Sequence, residues 1–169
     1  CGGDGPTAPA VPAAVVVSGG TALTSGTTVQ LLATYTDTRG RPVPAATFSW
    51  SSSNAAVAGV SGSGLVQALQ VGTATISAVS NGTTGSASIT VTPGTPTTIM
   101  VRTQPAGAAA GVAFTMQPVI ELRDAAGNLA TTSTLAVAAS IASGGGTLLG
   151  TSVVNASGGV ATFTNLAIG

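Results

Sequence analysis

From residue 14 onward the chain alternates apolar and polar residues in short runs, and most runs stop at a glycine-containing turn. Side chains of a strand point to opposite faces in turn, so alternation over about four to eight residues marks a strand with one buried face. In 28–36, Val29, Leu31, Ala33 and Tyr35 share one face, and Thr28, Gln30, Thr34 and Thr36 share the other. The same pattern turns Phe48 and Trp50 inward, then Ala74, Ile76 and Ala78, then Ala87, Ile89 and Val91. Ser25-Gly26, Arg39-Gly40, Ser63-Gly64 and Asn81-Gly82 supply the turns between them. Apolar spacing of the helical kind is absent, so short strands at regular intervals predict an all-β sandwich.

The pattern pauses at Thr92-Pro93-Gly94-Thr95-Pro96, a short stiff linker, and then resumes. Ile99 and Val101 open the second series. Phe114, Met116, Pro118, Ile120 and Leu122 are expected on one face of a long strand. Leu135, Val137, Ala139 and Ile141 predict another, broken by Gly144, Gly145 and Gly146. A last strand is expected from Val160 to Ile168 around Phe163. The division is therefore a Gly/Pro-rich arm or tether at 1–13, a first domain at 14–92, a linker at 93–96 and a second domain at 97–169. An Asp-x-x-Gly turn occurs in each half, at Asp37 and at Asp124, which suggests a repeat.

The surface left by these strands is nearly uncharged. Asp, Glu, Lys and Arg make up 5% of the 169 residues, against about 25% in ordinary globular domains. Four Arg balance four acids, which argues against nucleic acid as a partner. Near-zero net charge favours self-association. The chain has no His, and its one cysteine is Cys1, so a Ser/His pair, an internal disulfide and a zinc site are all excluded. Asp124 and Asn128 could offer two oxygens to a cation, but a calcium site needs more, and the pair reads first as a turn. No cofactor, no small-molecule substrate and no enzymatic activity are expected. Trp50 is expected in the core rather than on a sugar-stacking surface. Asn81 and Asn155 head glycosylation sequons, both expected in loops.

Five blocks in order carry a family resemblance in the first half. They are Ser25-Gly26-Thr27-Thr28-Val29-Gln30-Leu31-Leu32-Ala33-Thr34, Phe48-Ser49-Trp50-Ser51-Ser52-Ser53-Asn54, Gly64-Leu65-Val66, Gly72-Thr73-Ala74-Thr75-Ile76-Ser77-Ala78 and Ala87-Ser88-Ile89-Thr90-Val91. This half resembles a bacterial immunoglobulin-like domain of group 2. The second half resembles an invasin-like Ig repeat through Gln104-Pro105, Gly111, Phe114, Pro118, Asp124, Gly127-Asn128 and the stretch from Gly159 to Leu166. The resemblance implies two tandem Ig-like β-sandwiches. It also implies two further strands in the second, which is expected to be incomplete.

The start at Cys1-Gly2-Gly3-Asp4 resembles a mature bacterial lipoprotein, which implies a lipid anchor on Cys1 and an outer-membrane attachment. An incomplete Ig-like sheet leaves unpaired backbone that a strand from a neighbouring chain could fill. Val11, Val15, Val16 and Val17 are the candidate donor strand; alternatively the sequence is a piece of a longer protein. The expected function is structural and extracellular, as a cell-surface spacer or a filament subunit joined by strand exchange. The rival readings are an adhesin for glycan or a host protein, and the spacer of a larger surface enzyme.

Overall fold

The computed structural model describes residues 13–169. They fall into two compact units that divide between Thr92 and Pro93. Every regular element is a strand.

The first unit contains β1 (Ala14–Ser18), β2 (Ala22–Thr24), β3 (Thr28–Gln30), β4 (Leu32–Thr36), β5 (Ser49–Ser52), β6 (Ala58–Val60), β7 (Leu65–Ala68), β8 (Gly72–Ser80) and β9 (Thr83–Thr92). One sheet has the order β2-β9-β8-β5, a second β3-β7-β6, and β1 pairs with β4. Only the β2–β9 pairing is parallel. The long β8–β9 hairpin closes on Asn81-Gly82, whose φ angles of 48° and 75° are those of a two-residue turn matched to the twist of the strands. The alternation in β8 and β9 sends Ala74, Ile76, Ile89 and Val91 into a core shared with Leu23, Leu31, Val57 and Val66, with Trp50 packed at its edge. Each fully buried branched side chain there contributes about 1.5–3 kcal/mol.

The expected strand at 28–36 is two strands. Its alternation persists, but the partner changes at Leu31, which is 1% exposed. Before it, Val29 pairs with Val66 of β7; after it, Ala33 pairs with Val17 of β1. Between them the Leu31 N–H donates to Gly64 O at 2.9 Å, so no buried donor is lost at the crossing. β9 also passes close beneath β1. A Cβ on Gly85 would lie 2.2 Å from the Val15 carbonyl oxygen, so only glycine lets the two backbones approach this far.

The second unit contains β10 (Thr98–Thr103), β11 (Val119–Arg123), β12 (Ala136–Ala138), β13 (Leu148–Leu149), β14 (Val153–Asn155), β15 (Val160–Thr162) and β16 (Ala167–Ile168). Their sheets are β10-β11-β15, β12-β14 and β13-β16, all antiparallel. The core gathers Ile120, Leu122, Ala156, Ala161, Phe163 and Leu166, with Phe114 packed against it.

Three expected strands are shorter than the pattern suggested. The strand through Phe114 and Met116 begins only at Val119, because Pro118 has no N–H to give a ladder. The Gln117 side chain substitutes for that ladder: its Nε2 donates to the carbonyls of Phe114 (3.0 Å) and Leu166 (3.1 Å), and its Oε1 accepts from Leu166 N–H at 2.9 Å. The strand from Val160 to Ile168 splits into β15 and β16. Phe163 and Leu166, three residues apart, are both buried, which strict alternation cannot achieve. The strand through Leu135 and Ile141 shrinks to β12, and Leu135 itself is 58% exposed.

The two Asp-x-x-Gly turns share one construction. Asp37 and Asp124 each accept at their carbonyl from the glycine three residues on, 2.9 and 3.0 Å. Each Oδ1 accepts from the N–H groups two and four residues on. Gly40 and Gly127 have φ of 71° and 84°, the left-handed region where glycine carries no Cβ penalty.

Candidate interaction surface

The shared turn supplies a common frame for the two units. Tyr35, two residues before Asp37, pairs with Val15; Leu122, two residues before Asp124, pairs with Ile99. Val15 and Ile99 therefore hold equivalent positions, yet Val15 is 8% exposed and Ile99 is 67% exposed. The difference has a structural cause. In the first unit β9 runs beneath β1, and β8 pairs along β5, with Trp50 opposite Ala78. Among the described residues of the second unit, no hairpin takes the place of β8–β9. β10 is an edge strand, and β12 has β14 as its one strand partner.

What remains between β10, β11 and β12 is a groove of about 310 Å³ lined by Pro96, Thr97, Thr98, Ile99, Leu122, Leu135, Ala136 and Val137. None of these side chains is charged. The site offers apolar surface and strand edges, and the chemistry open to it is main-chain pairing with apolar burial.

The second unit's charges are gathered on β10, β11 and the turn that follows it. Glu121 is buried and accepts from Arg123 at Nη2 (2.6 Å) and Nε (3.1 Å), with Arg102 at 3.7 Å. Asp124 is buried too. Its carboxylate accepts from the N–H groups of Gly94 (2.9 Å), Ala126 (3.0 Å) and Asn128 (2.8 Å) and from the Asn128 amide (3.1 Å). Burial pushes its carboxyl up, but these four donors outweigh burial and hold it below the ordinary value. At half-buried Asp37, the N–H groups of Arg41 and Arg39 lower the carboxyl in the same direction. Asp124 and Asn128 thus spend their polar atoms on the turn and on Gly94. Among the described residues, no three His, Cys, Asp or Glu side chains come together in a way that could hold a metal ion.

The strand order, the core and the β8–β9 hairpin of the first unit coincide with a family match. Residues 10–91 match the bacterial Ig-like domain (group 2). The first unit belongs to this family.

No curated protein sequence matches the chain. Several solved structures are similar to it. FdeC, an Escherichia coli adhesin, is 19% identical over 93% of this chain and 55% of its own, with a TM-score of 0.49. Domains 5-6 of the S-layer protein SbsC are 16% identical over 91% of this chain and 96% of theirs, TM-score 0.41. The Yersinia pseudotuberculosis adhesin InvE is 19% identical over 89% of this chain and 49% of its own, TM-score 0.40. The chain thus spans about half the length of the FdeC and InvE chains, and at these identities the likeness is one of fold.

The residues singled out from sequence fall as follows in the two units. Val15, Val16 and Val17, the described part of the candidate donor strand, lie in one strand. They form β1, paired with Ala33, Thr34 and Tyr35 of the same chain, because burying Val15 beneath β9 gives this strand a seat at home. Val11 and Cys1 lie outside the described residues. Asn81 is exposed in its turn, as a sequon in a loop would be. Asn155 is also exposed but ends β14, paired with Ala136, rather than lying in a loop. Trp50 packs against the core, and its ring fills the space over Gly64, where a Cβ would lie 2.8 Å from it. The groove itself escaped the sequence reading, since Ile99 and Leu135 carry the alternation of buried positions. Only comparison of the register of Ile99 with that of Val15, set by the two Asp turns, distinguishes Ile99 from a core residue.

Proposed function

We propose that the chain is a non-catalytic structural segment of a bacterial cell-surface protein, in which Ig-like sandwiches act as spacers. The observation that carries the reading is the construction of the chain: two units, each with its own apolar core, joined where Pro93 and Pro96 stiffen the backbone. The first unit's family supports a bacterial module of this kind. The low charge of the surface supports close packing beside neighbouring molecules. Attachment through lipid on Cys1 belongs to the same proposal.

Limited proteolysis of intact source cells tests it. Protease added outside should release peptides of this chain while a cytoplasmic marker stays intact. Chain protected on intact cells and cleaved only after lysis would refute a surface location. Mass spectrometry of the N-terminal peptide reads the anchor directly: the expected peptide carries acyl groups on Cys1, and an unmodified Cys1 removes the lipid from the proposal.

A further inference from the structure

We propose that Asp124 is a latch on the linker: its carboxylate holds Gly94 to the second unit and leaves Pro93 as the single joint in the chain. The bonds on either side of Pro93 point to this. On one side, the Ser25 N–H donates to Thr92 O at 2.8 Å within the Ig-like domain. On the other, the Gly94 N–H donates to Asp124 Oδ2 at 2.9 Å within the second unit. A peptide group is planar, so each bond ties one whole peptide plane to its own unit. The two planes meet at the Cα of Pro93, and only the φ and ψ of Pro93 separate them. The proline ring locks φ near about −65°. One soft torsion remains.

Without the latch the joint is longer. The next backbone bond along the chain runs from Thr97 N–H to Arg123 O at 2.9 Å. Releasing Gly94 frees both of its torsions, both of Thr95 and the ψ of Pro96. Gly94 has no Cβ to narrow the first pair. The latch therefore decides whether the linker is one torsion or a short flexible chain.

The turn alone does not call for this bond. Asp37 builds the same turn in the Ig-like domain. Its Oδ1 accepts from the Arg39 and Arg41 N–H groups, and among the described residues its Oδ2 takes no hydrogen bond. Asp124 repeats the two Oδ1 bonds, from Ala126 and Asn128, and turns Oδ2 to Gly94 and the Asn128 amide. Asp124 is 3% exposed, and burial works against its charge. Of the donors that outweigh burial, the Gly94 N–H contributes most. Arg123 next to it is occupied elsewhere, by Glu121 and Gly127 O.

The latch deepens the spacer reading, which gives a stiff joint its use, but its test needs only the chain in solution. Asp124→Asn separates latch from turn. The one carbonyl oxygen can still serve the Ala126 and Asn128 N–H groups, and the amide NH2 then meets the Gly94 N–H with no acceptor. Nuclear magnetic resonance of the full chain reads both. In the wild type, Gly94 and Thr95 should have order parameters of about 0.85, those of rigid backbone. In Asp124→Asn they should fall below about 0.6. The Gly94 amide should exchange about tenfold faster or more, the scale of losing one bond to a charged acceptor. The Ala126 and Asn128 amides should stay protected. Asp37→Asn, the same change in the other turn, should leave Gly94 and Thr95 as they are. Gly94 and Thr95 mobile in the wild type, or unchanged in Asp124→Asn, would overturn the proposal. So would equal loss of protection at Gly94, Ala126 and Asn128, because the carboxylate would then serve the turn alone. A chain found inside the cell would end the spacer reading and leave the latch standing, so the two fail separately.

Discussion

Replacing Gly85 with alanine tests how β1 is held in the Ig-like domain. The new Cβ would stand 2.2 Å from the Val15 carbonyl oxygen and 2.8 Å from Val15 Cγ1. Contacts below about 3 Å do not persist, so β1 must retreat by close to an ångström or β9 must buckle. Either movement opens the packing around Val15. Forcing a methyl into a closed site costs about 1–3 kcal/mol. Alanine recovers about 0.5–1 kcal/mol of the backbone entropy that glycine loses in a strand. The net expectation is a loss of up to about 2.5 kcal/mol. Gly59 is the control. It lies in β6, and a Cβ there would meet nothing closer than Ala55 O at 4.0 Å, so Gly59→Ala should leave stability unchanged or raise it slightly. Trp50 is the one tryptophan of the chain and belongs to this domain. Its fluorescence during urea denaturation therefore reports the domain directly. Hydrogen exchange should show the loss concentrated in β1. If Gly85→Ala and Gly59→Ala shift the midpoint alike, the close approach of β1 and β9 does not hold and the steric reasoning fails.

Other outcomes follow from the cores and the turns. Ile76→Ala, at a fully buried position of β8, should cost about 2–5 kcal/mol in the same Trp50 transition. Phe163→Ala should remove about 3–5 kcal/mol from the second unit, read by calorimetry; a shift under 1 kcal/mol would show that the site collapses freely. Asp124→Ala leaves the N–H groups of Gly94, Ala126 and Asn128 without their shared acceptor and should cost about 1–3 kcal/mol. Because the folded state holds Asp124 below its ordinary value of 3.8, its carboxylate stabilises the fold fully above that pH. The contribution is lost as pH falls from there through the lowered folded value. Acid titration of stability in Asp124→Asn should lack that component. Glu121→Gln should destabilise the second unit by about 1–3 kcal/mol, since the charged acceptor of Arg123 is lost from a buried position; unchanged melting would show the cluster to be energetically idle.

Where one rule sufficed, the sequence was readable. β8 and β9 alternate as the pattern names, burying Ala74, Ile76, Ala78, Ile89 and Val91, with Ala87 half-buried. Where two demands competed, it was not. Pro118 sits within an apolar alternation, but its missing N–H outweighs the pattern and delays β11 to Val119. Phe163 and Leu166 both enter the core, so the chain between β15 and β16 abandons the strand. Leu31 keeps its face while the chain changes partner, and side-chain periodicity carries no record of which strand lies alongside. Much the same holds for the groove. Ile99 looks like a core residue locally, yet it is exposed on edge strand β10, and alternation at 98–103 does not record what lies over a strand. Val15, read from its place beside a Gly/Pro-rich arm as part of a candidate donor strand, lies in β1 against β4 and Gly85 of the same chain.

The parallel pairing of β2 with β9 decides how the Ig-like domain meets a pulling force. Val15 lies against Gly85, Ala22 against Thr90 and Thr24 against Thr92, so the first strands run in the same direction as the last. The chain accordingly enters at one end of the domain and leaves at the other. Tension applied through the two ends drags β2 and β9 past each other lengthwise. The bonds from Thr90 N–H to Thr21 O and from Ser25 N–H to Thr92 O, each 2.8 Å, lie across that sliding direction and share the load. They must rupture together, whereas an antiparallel pair pulled from one end opens bond by bond. A domain wired in this way resists stretching more than its modest size suggests.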